Sequence, residues 1–218
     1  MLEDPAGLDE LRRLGARSVP VLSRGDDYVF AQNIGHVVKF LGLNEATGPV
    51  LSPDQLIGRL DGFLEAAIRM IPQMPDAKLA TEVPNRPRSY RVLGHHMFRI
   101  AETFIEVANG ATLEYGRLTA TAPDGMQTTA DIVAYGADVR RRLTEWWAAK
   151  PDKSGRDRVQ TYYGPQTLHE YLERTTWHVG QHARQWVMLL GMVGITPDRP
   201  PDEADFAGLP MPSQVWDG

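Results

Sequence analysis

The sequence predicts a mainly α-helical protein, an antiparallel four-helix bundle preceded by a small N-terminal α-β-β-α appendage. Three observations support this prediction. Four segments of roughly 20 residues repeat apolar side chains at the spacing of an amphipathic helix. Two of these segments open on capping boxes, Ser52 with Gln55 and Thr167 with Glu170. Loops of moderate length join consecutive segments, which favours antiparallel neighbours.

We assign the appendage to residues 1–44, where the pattern of turn residues and apolar residues differs from the rest of the chain. A unit this small rarely folds without support, so we expect it to pack on something. The predicted elements are, in order, a short helix ending at Gly15, a strand over 18–22, a turn over 24–27, a strand over 28–31 and a second short helix capped by Asn33.

The predicted bundle occupies residues 50–195, and residues 196–218 form a Pro- and Gly-rich tail that we expect to be extended, either wrapped on the bundle or loose. The helices are predicted from Pro53 to Ile71, from Ser89 to Asn109, from Thr128 to Lys150 and from Thr167 to Met192. The intervening residues 111–126 and 153–165 are predicted to be loops. Loops of this length are often functional, and here they would form the rim of a pocket.

Composition excludes several functions. The chain has no cysteine, which removes disulfides, thiolate ligands and a cysteine nucleophile. Its net charge is −5, and we interpret the run Arg140–Arg142 as a solvated helix face near Asp138 and Glu145, so we expect no nucleic-acid partner. No apolar stretch reaches the roughly 20 residues of a membrane span, and the acidic N-terminus is no signal peptide. We therefore expect no membrane association and a cytoplasmic location.

Two histidines on the fourth predicted helix are candidate metal ligands. His178 and His182 are four residues apart, so a helix places both imidazoles on one face, one turn apart. Two neutral imidazoles on a rigid element suit a divalent ion. Taken alone, however, this spacing favours the alternative of two unrelated histidines, because such pairs arise by chance.

The second predicted helix offers a third candidate ligand in the pair His95-His96. At 100° per residue, His96 lies about 90° from the centre of the apolar stripe and can reach the interior. His95 falls on nearly the opposite side and should face solvent or a loop. Three imidazoles match a catalytic-type site with open positions. A satisfied interior histidine is the alternative for His96, while His36 and His169 are interpreted as surface or capping residues.

The segments Leu93–Met97 and Thr176–Gln185 resemble the DinB/YfiT-like metalloprotein superfamily, over roughly residues 50–195. The resemblance implies a four-helix bundle, often a homodimer, with Zn or Ni held by three histidines. These map onto His96, His178 and His182, and the doubled histidine leaves His95 as an alternative first ligand. Characterised members include transferases and isomerases that use mycothiol, bacillithiol or glutathione, together with suspected hydrolases.

The N-terminal segment resembles the C-terminal half of a glutaredoxin, on Leu14 to Leu22 with Gly25 and the following strand and helix. In that family the residue before a cis-proline offers its backbone to the cysteinyl part of glutathione, which would be Val19 before Pro20. The first half of that fold and its CxxC motif are missing, so we expect no redox catalysis. The segment is then either a relic that packs on the bundle, part of a chain truncated upstream, or a thiol-binding lip.

The leading functional hypothesis is an enzyme that acts on a small molecule. A divalent ion would activate a low-molecular-weight thiol such as glutathione, for S-transfer or isomerisation, or would activate water for hydrolysis. No general base is identifiable, although Glu102, Tyr171 and Gln185 are within plausible reach. The alternatives are a non-catalytic metal- or ligand-binding stress-response protein and a purely structural bundle.

Overall fold

A computed structural model describes residues 4–16, 19–32, 34–45, 47–84 and 86–216. Over these residues the protein is mainly helical, with two short antiparallel hairpins. The chain divides into two compact units, Met1–Gly48 and Pro49–Gly218, and the C-terminal tail belongs to the second of them. No described helix combines the length and apolar character needed to cross a membrane.

The N-terminal unit has the predicted order of elements, which are α1 (Pro5–Leu14), β1 (Val21–Arg24), β2 (Asp27–Phe30) and α2 (Ile34–Leu41). The left-handed Gly15, with φ of 69°, ends α1 as expected. The predicted strand over 18–22 was placed too early, because β1 pairs with β2 only from Val21 onward. Pro20 has no N–H to donate to a ladder. The predicted cap Asn33 and strand residue Ser18 lie outside the described residues.

Four long helices form most of the second unit, and shorter elements connect them. In chain order the elements are α3 (Pro53–Met70), 3₁₀ turns at Ile71–Gln73 and Asp76–Lys78, α4 (Tyr90–Ala108), α5 (Tyr115–Leu118), α6 (Thr129–Ala149), β3 (Arg158–Thr161), β4 (Gly164–Thr167), α7 (Leu168–Met192) and α8 (Glu203–Phe206). The four long elements confirm the four helical segments predicted from the apolar spacing.

The starts of the long helices are set by side chains that cap their first backbone N–H groups. Ser52 and Gln55 form the predicted capping box at α3, with the Ser52 N–H donating to Gln55 Oε1 at 2.8 Å. Thr167 opens α7 in the same way. At α6 the pair is Thr128 with Asp131, so an aspartate fills the position usually taken by Glu or Gln.

The four long helices share one apolar core, and α7 is central to it. Helix α7 packs on both α3 and α4, while α6 packs on the other side of the same two helices. The largest fully buried side chains on these helices include Leu56, Leu60, Phe63 and Leu64 on α3, Phe98 and Phe104 on α4, and Tyr171 and Trp186 on α7. Because α7 lies against α4, residues of the two helices meet in the interior.

The loops predicted over 111–126 and 153–165 both contain secondary structure. Residues 158–167 form the β3–β4 hairpin, with Val159 opposite Gln166, and the first loop contains α5. The backbone N–H of Leu113 donates to the Gln160 carbonyl at 2.9 Å, which ties the two connections together. Val159 and Thr161 alternate with exposed neighbours, but an alternation of four residues is too short to stand out in the sequence.

The basic run on α6 is a set of ion pairs. Arg141 pairs with carboxylates on its own helix, as expected for a solvated face. Arg140 instead contacts Asp61 of α3 at 2.6 Å, and Arg142 contacts Glu102 of α4. These two arginines therefore join α6 to both of its neighbours.

Replacing Gly136 on α6 with alanine should destabilise the protein. A methyl group there would overlap the ring of Phe98 on α4, and overpacking of this kind costs about 1–3 kcal/mol. Gly58→Ala on α3 is the matched control, because its Cβ would enter open space and alanine favours a helix over glycine by about 0.5–1 kcal/mol. Urea denaturation of both variants measures this, and a Gly136→Ala variant as stable as Gly58→Ala would contradict the close contact.

Candidate metal centre

The structure brings His96, His178 and His182 together between α4 and α7. One nitrogen from each ring lies within 4.8 Å of the other two. The ring centroids of His96 and His182 are 5.0 Å apart, and those of His178 and His182 are 4.8 Å apart. The contact between α4 and α7 places the first ring against the pair, as the three-histidine hypothesis requires.

Burial keeps these three imidazoles neutral. His96 is 9% exposed and His182 is 4% exposed. Removal from water lowers the pKa of His96 and His178 well below 6.5, and lowers the pKa of His182 to about 4. The charge of Arg88 contributes to the lowered pKa of all three. Neutral imidazoles at pH 7 carry the lone pairs that a divalent ion binds.

The unpaired nitrogens of the cluster suit a metal ion. His182 Nδ1 lies 2.6 Å from Gln185 Oε1, and because that oxygen only accepts, Nδ1 carries the proton and Nε2 keeps its lone pair. Within the described part of the chain, His182 Nε2 and His178 Nδ1 are buried without a hydrogen-bond partner. Two nitrogens bound to one zinc ion lie roughly 3.3 Å apart, so a bound ion would draw together nitrogens that lie within 4.8 Å of one another.

Gln185 connects this cluster to the C-terminal tail. Its Nε2 donates to the Val215 carbonyl at 3.0 Å, while its Oε1 accepts from His182. Gln181 donates to the same carbonyl at 2.7 Å, and Trp216 Nε1 contacts Met188 Sδ at 2.9 Å. The tail therefore lies along α7 and supports the orientation of His182 through Gln185. The sequence had not decided whether the tail would be wrapped on the helices or loose.

A cavity of about 350 Å³ opens beside the cluster. This size is in the range of small-molecule sites. Its lining residues are Arg86, Arg88, Trp177, His178, Gln181, His182, Gln185, Pro210, Pro212 and Trp216. The cavity gives the histidine cluster an approach for water or a small molecule. The larger cavity of about 470 Å³ along α3 contains none of the three histidines.

His95 is not where the helical pattern placed it. The prediction of a solvent- or loop-facing His95 is wrong, because its side chain is 3% exposed and stacks on Tyr135 with ring centroids 5.2 Å apart. Helix α6 covers the side of α4 that the 100° helical spacing assigned to solvent. His95 also lies outside the histidine cluster, whose α4 member is His96.

The remaining polar candidates are separated from one another. The Glu102 carboxylate accepts hydrogen bonds from Arg99, Arg142 and Tyr135. It does not line the cavity. Tyr171 is buried against Phe104. Gln185 alone of the three candidate bases lines the cavity, and it serves there as a hydrogen-bond partner. His169 contacts the Leu51 carbonyl at 2.8 Å.

Val19 and Pro20 lie in the N-terminal unit and are joined by a cis peptide bond, as the glutaredoxin resemblance leads one to expect. The Val19 carbonyl accepts a hydrogen bond from Gln32 Nε2 at 2.9 Å. Leu8 and Leu11 line a cavity of about 350 Å³ with them. A carbonyl oxygen has two lone pairs and can accept a second hydrogen bond, and the cofactor-binding role of Val19 and Pro20 stays a prediction.

Comparison with known proteins assigns no family. No protein-family model matches this chain, and no curated protein matches it in sequence. What can be said of function therefore depends on the geometry of the histidine cluster and on the resemblance of the two histidine-bearing segments.

The metal-free protein should lose stability in acid. The pKa of each cluster histidine is lower in the folded than in the unfolded chain, so stability is complete above pH 6.5 and falls as the unfolded chain takes up protons below it. Each histidine contributes up to about 1.4 kcal/mol per pH unit. Denaturation of the chelator-treated protein between pH 7 and pH 4 measures this. Replacing all three histidines with glutamine should reduce the slope of the profile, and an unchanged slope would contradict their lowered pKa values.

Removing the amide of Gln185 should weaken metal binding. Gln185→Leu leaves His182 Nδ1 without its acceptor, and loss of such a partner costs about 10–100-fold in metal affinity. Gln181→Leu is the matched control, because Gln181 also bonds the Val215 carbonyl but does not contact His182. Competition with a chromophoric chelator gives both affinities. Equal losses in the two variants would show that the tail, rather than the histidine contact, matters.

Proposed function

We propose that this protein is a divalent-metal-dependent enzyme of the DinB/YfiT-like type, in which the four long helices form an antiparallel bundle. The ion, Zn or Ni, is bound by His96, His178 and His182. The reaction is S-transfer or isomerisation of a small molecule with a glutathione-like thiol, and hydrolysis is the second form of the same chemistry. A homodimer in the cytoplasm, with neither nucleic acid nor membrane as partner, is part of the proposal.

The observation that carries the proposal is a group of three neutral imidazoles, two buried and one half-buried, beside an open cavity. Three protein ligands leave positions for water or substrate, which is the arrangement of catalytic rather than structural sites. Within the described residues, no carboxylate or fourth imidazole joins the group. The non-catalytic alternative, a metal- or ligand-binding stress-response protein, calls instead for a closed site with a fourth protein ligand.

A bound divalent ion would supply Lewis acidity, lowering the pKa of a thiol or water molecule beside it. The protein's own groups perform the remaining tasks. Gln185 holds His182 with its proton on Nδ1. Trp177 and Trp216 give the cavity apolar walls against which the hydrocarbon part of a ligand would pack. Among the described residues that line the cavity there is no carboxylate to act as general base, which favours a nucleophile ionised by the ion itself.

Purified protein should contain one divalent ion per chain, lost in the His178→Ala, His182→Ala double variant. Two ligands removed from a three-ligand site leave too little to retain the ion. His169→Ala is the control, because it lies on the same helix outside the cluster. Elemental analysis after dialysis measures the stoichiometry. Absence of metal at neutral pH in the unmodified protein would refute the site.

Thiol ligation should be visible in a cobalt-substituted protein. Titration with glutathione should produce sulfur-to-cobalt charge-transfer absorption if the thiolate occupies an open coordination position. The double variant lacking His178 and His182 is the control and should show none. If glutathione and a panel of other low-molecular-weight thiols leave the spectrum unchanged, thiol chemistry is ruled out and hydrolysis becomes the preferred reaction.

A further inference from the structure

The cavity beside the histidine cluster is electropositive. Two of its lining residues are arginines, Arg86 and Arg88, and no aspartate or glutamate is among the described residues that line it. The chain as a whole carries a net charge of −5, so a lining with arginines and no described carboxylate runs against the composition. A divalent ion on neutral imidazoles would add two further positive charges to the same space.

Arg88 differs in its partners from several arginines near the interior of this unit. Its side chain is half-buried, yet no hydrogen bond or ion pair joins its guanidinium to any residue that the structure describes. Arg99 and Arg142, by contrast, are each paired with carboxylates. Burial and the charge of Arg86 lower the pKa of Arg88, which marks a cation without a counter-ion.

The Arg88 guanidinium lines the cavity without a partner among the described residues, so its donors are available to a ligand. It offers a planar fork of donors that matches the two oxygens of a carboxylate. Burying a charge without a partner is costly, and a bound anion would remove that cost. The cavity of about 350 Å³ has room for a small organic acid, and its tryptophans Trp177 and Trp216 would contact the hydrocarbon part of such a molecule.

We propose that the metal centre acts on a ligand that carries a carboxylate, and that Arg88 binds this carboxylate within the cavity. The inference deepens the proposed function and rests on it. With the carboxylate held at Arg88, the reactive end of the ligand is directed toward His178 and His182. The carboxylate belongs either to the thiol cofactor or to the second substrate, and both sources present the same chemistry to the guanidinium.

The test uses cobalt-substituted protein and a matched pair of probes. 3-Mercaptopropionate and 3-mercaptopropionamide have the same thiol and nearly the same size, and only the first carries a charge. The charged thiol should bind more tightly by about ten- to hundredfold, the range expected for a hydrogen-bonded charge pair. In Arg88→Gln this preference should fall to about twofold or less, and Arg88→Lys should retain part of it.

Arg156→Gln is the control, because it removes an exposed arginine that does not line the cavity. Its preference for the charged thiol should equal that of the unmodified protein. The circular dichroism spectrum and the cobalt stoichiometry of each variant establish that fold and metal site are intact. A preference that persists in Arg88→Gln would overturn the proposal, because the carboxylate would then be recognised by the ion or another group.

A second arm identifies the source of the carboxylate. Succinate is titrated into cobalt protein saturated with 2-mercaptoethanol, which has no charge. Binding of succinate that is lost in Arg88→Gln assigns the carboxylate to the second substrate, and Arg88-dependent preference in the thiol arm alone assigns it to the cofactor. Arg88 dependence in neither arm overturns the inference and leaves the metal site standing. Failure to bind cobalt overturns the inference and the proposed function together.

Discussion

The packing of α7 against α4 is the contact on which the candidate site depends. It brings three imidazoles together, two of them buried and one half-buried, and desolvation lowers their pKa values so that they are neutral at pH 7. Neutral, unpaired nitrogens in an apolar interior are costly, and a metal ion offsets that cost. Without an ion the cluster therefore lowers the stability of the folded protein, as functional sites commonly do. The surrounding apolar core holds the two helices together, and an ion pair from α6 adds a further contact to α4.

Much of the second unit follows from local sequence signals. Ser52 and Thr167 start their helices because their side chains satisfy backbone N–H groups, a contact confined to four residues. The pairing of His178 with His182 follows from helix geometry in the same way. The selection of His96 also came from helical phase, since it stands next to the apolar stripe of α4. Local rules of this kind act over one or two turns, and the sequence displays them directly.

Contacts between segments that are distant in the sequence could not be predicted from these local rules. His95 is buried because α6 covers a second side of α4, which no single helix reveals. The β3–β4 hairpin is only four residues a side. The Gln185 contact with Val215 joins residues 30 positions apart, and Arg88 reaches the cavity from a loop before α4. Each depends on which elements become neighbours, and the pattern of apolar residues does not encode that choice uniquely.

The hydrogen-bonded chain from Val215 through Gln185 to His182 makes the tail and the cluster thermodynamically linked. An ion that favours one tautomer of His182 also favours the orientation of Gln185 that receives the tail. By reciprocity, a docked tail must strengthen the hold on the ion by the same factor that the ion strengthens docking. Binding of a metal ion would therefore stabilise the docked tail around Val215, and slowed amide hydrogen exchange in that segment would report on it.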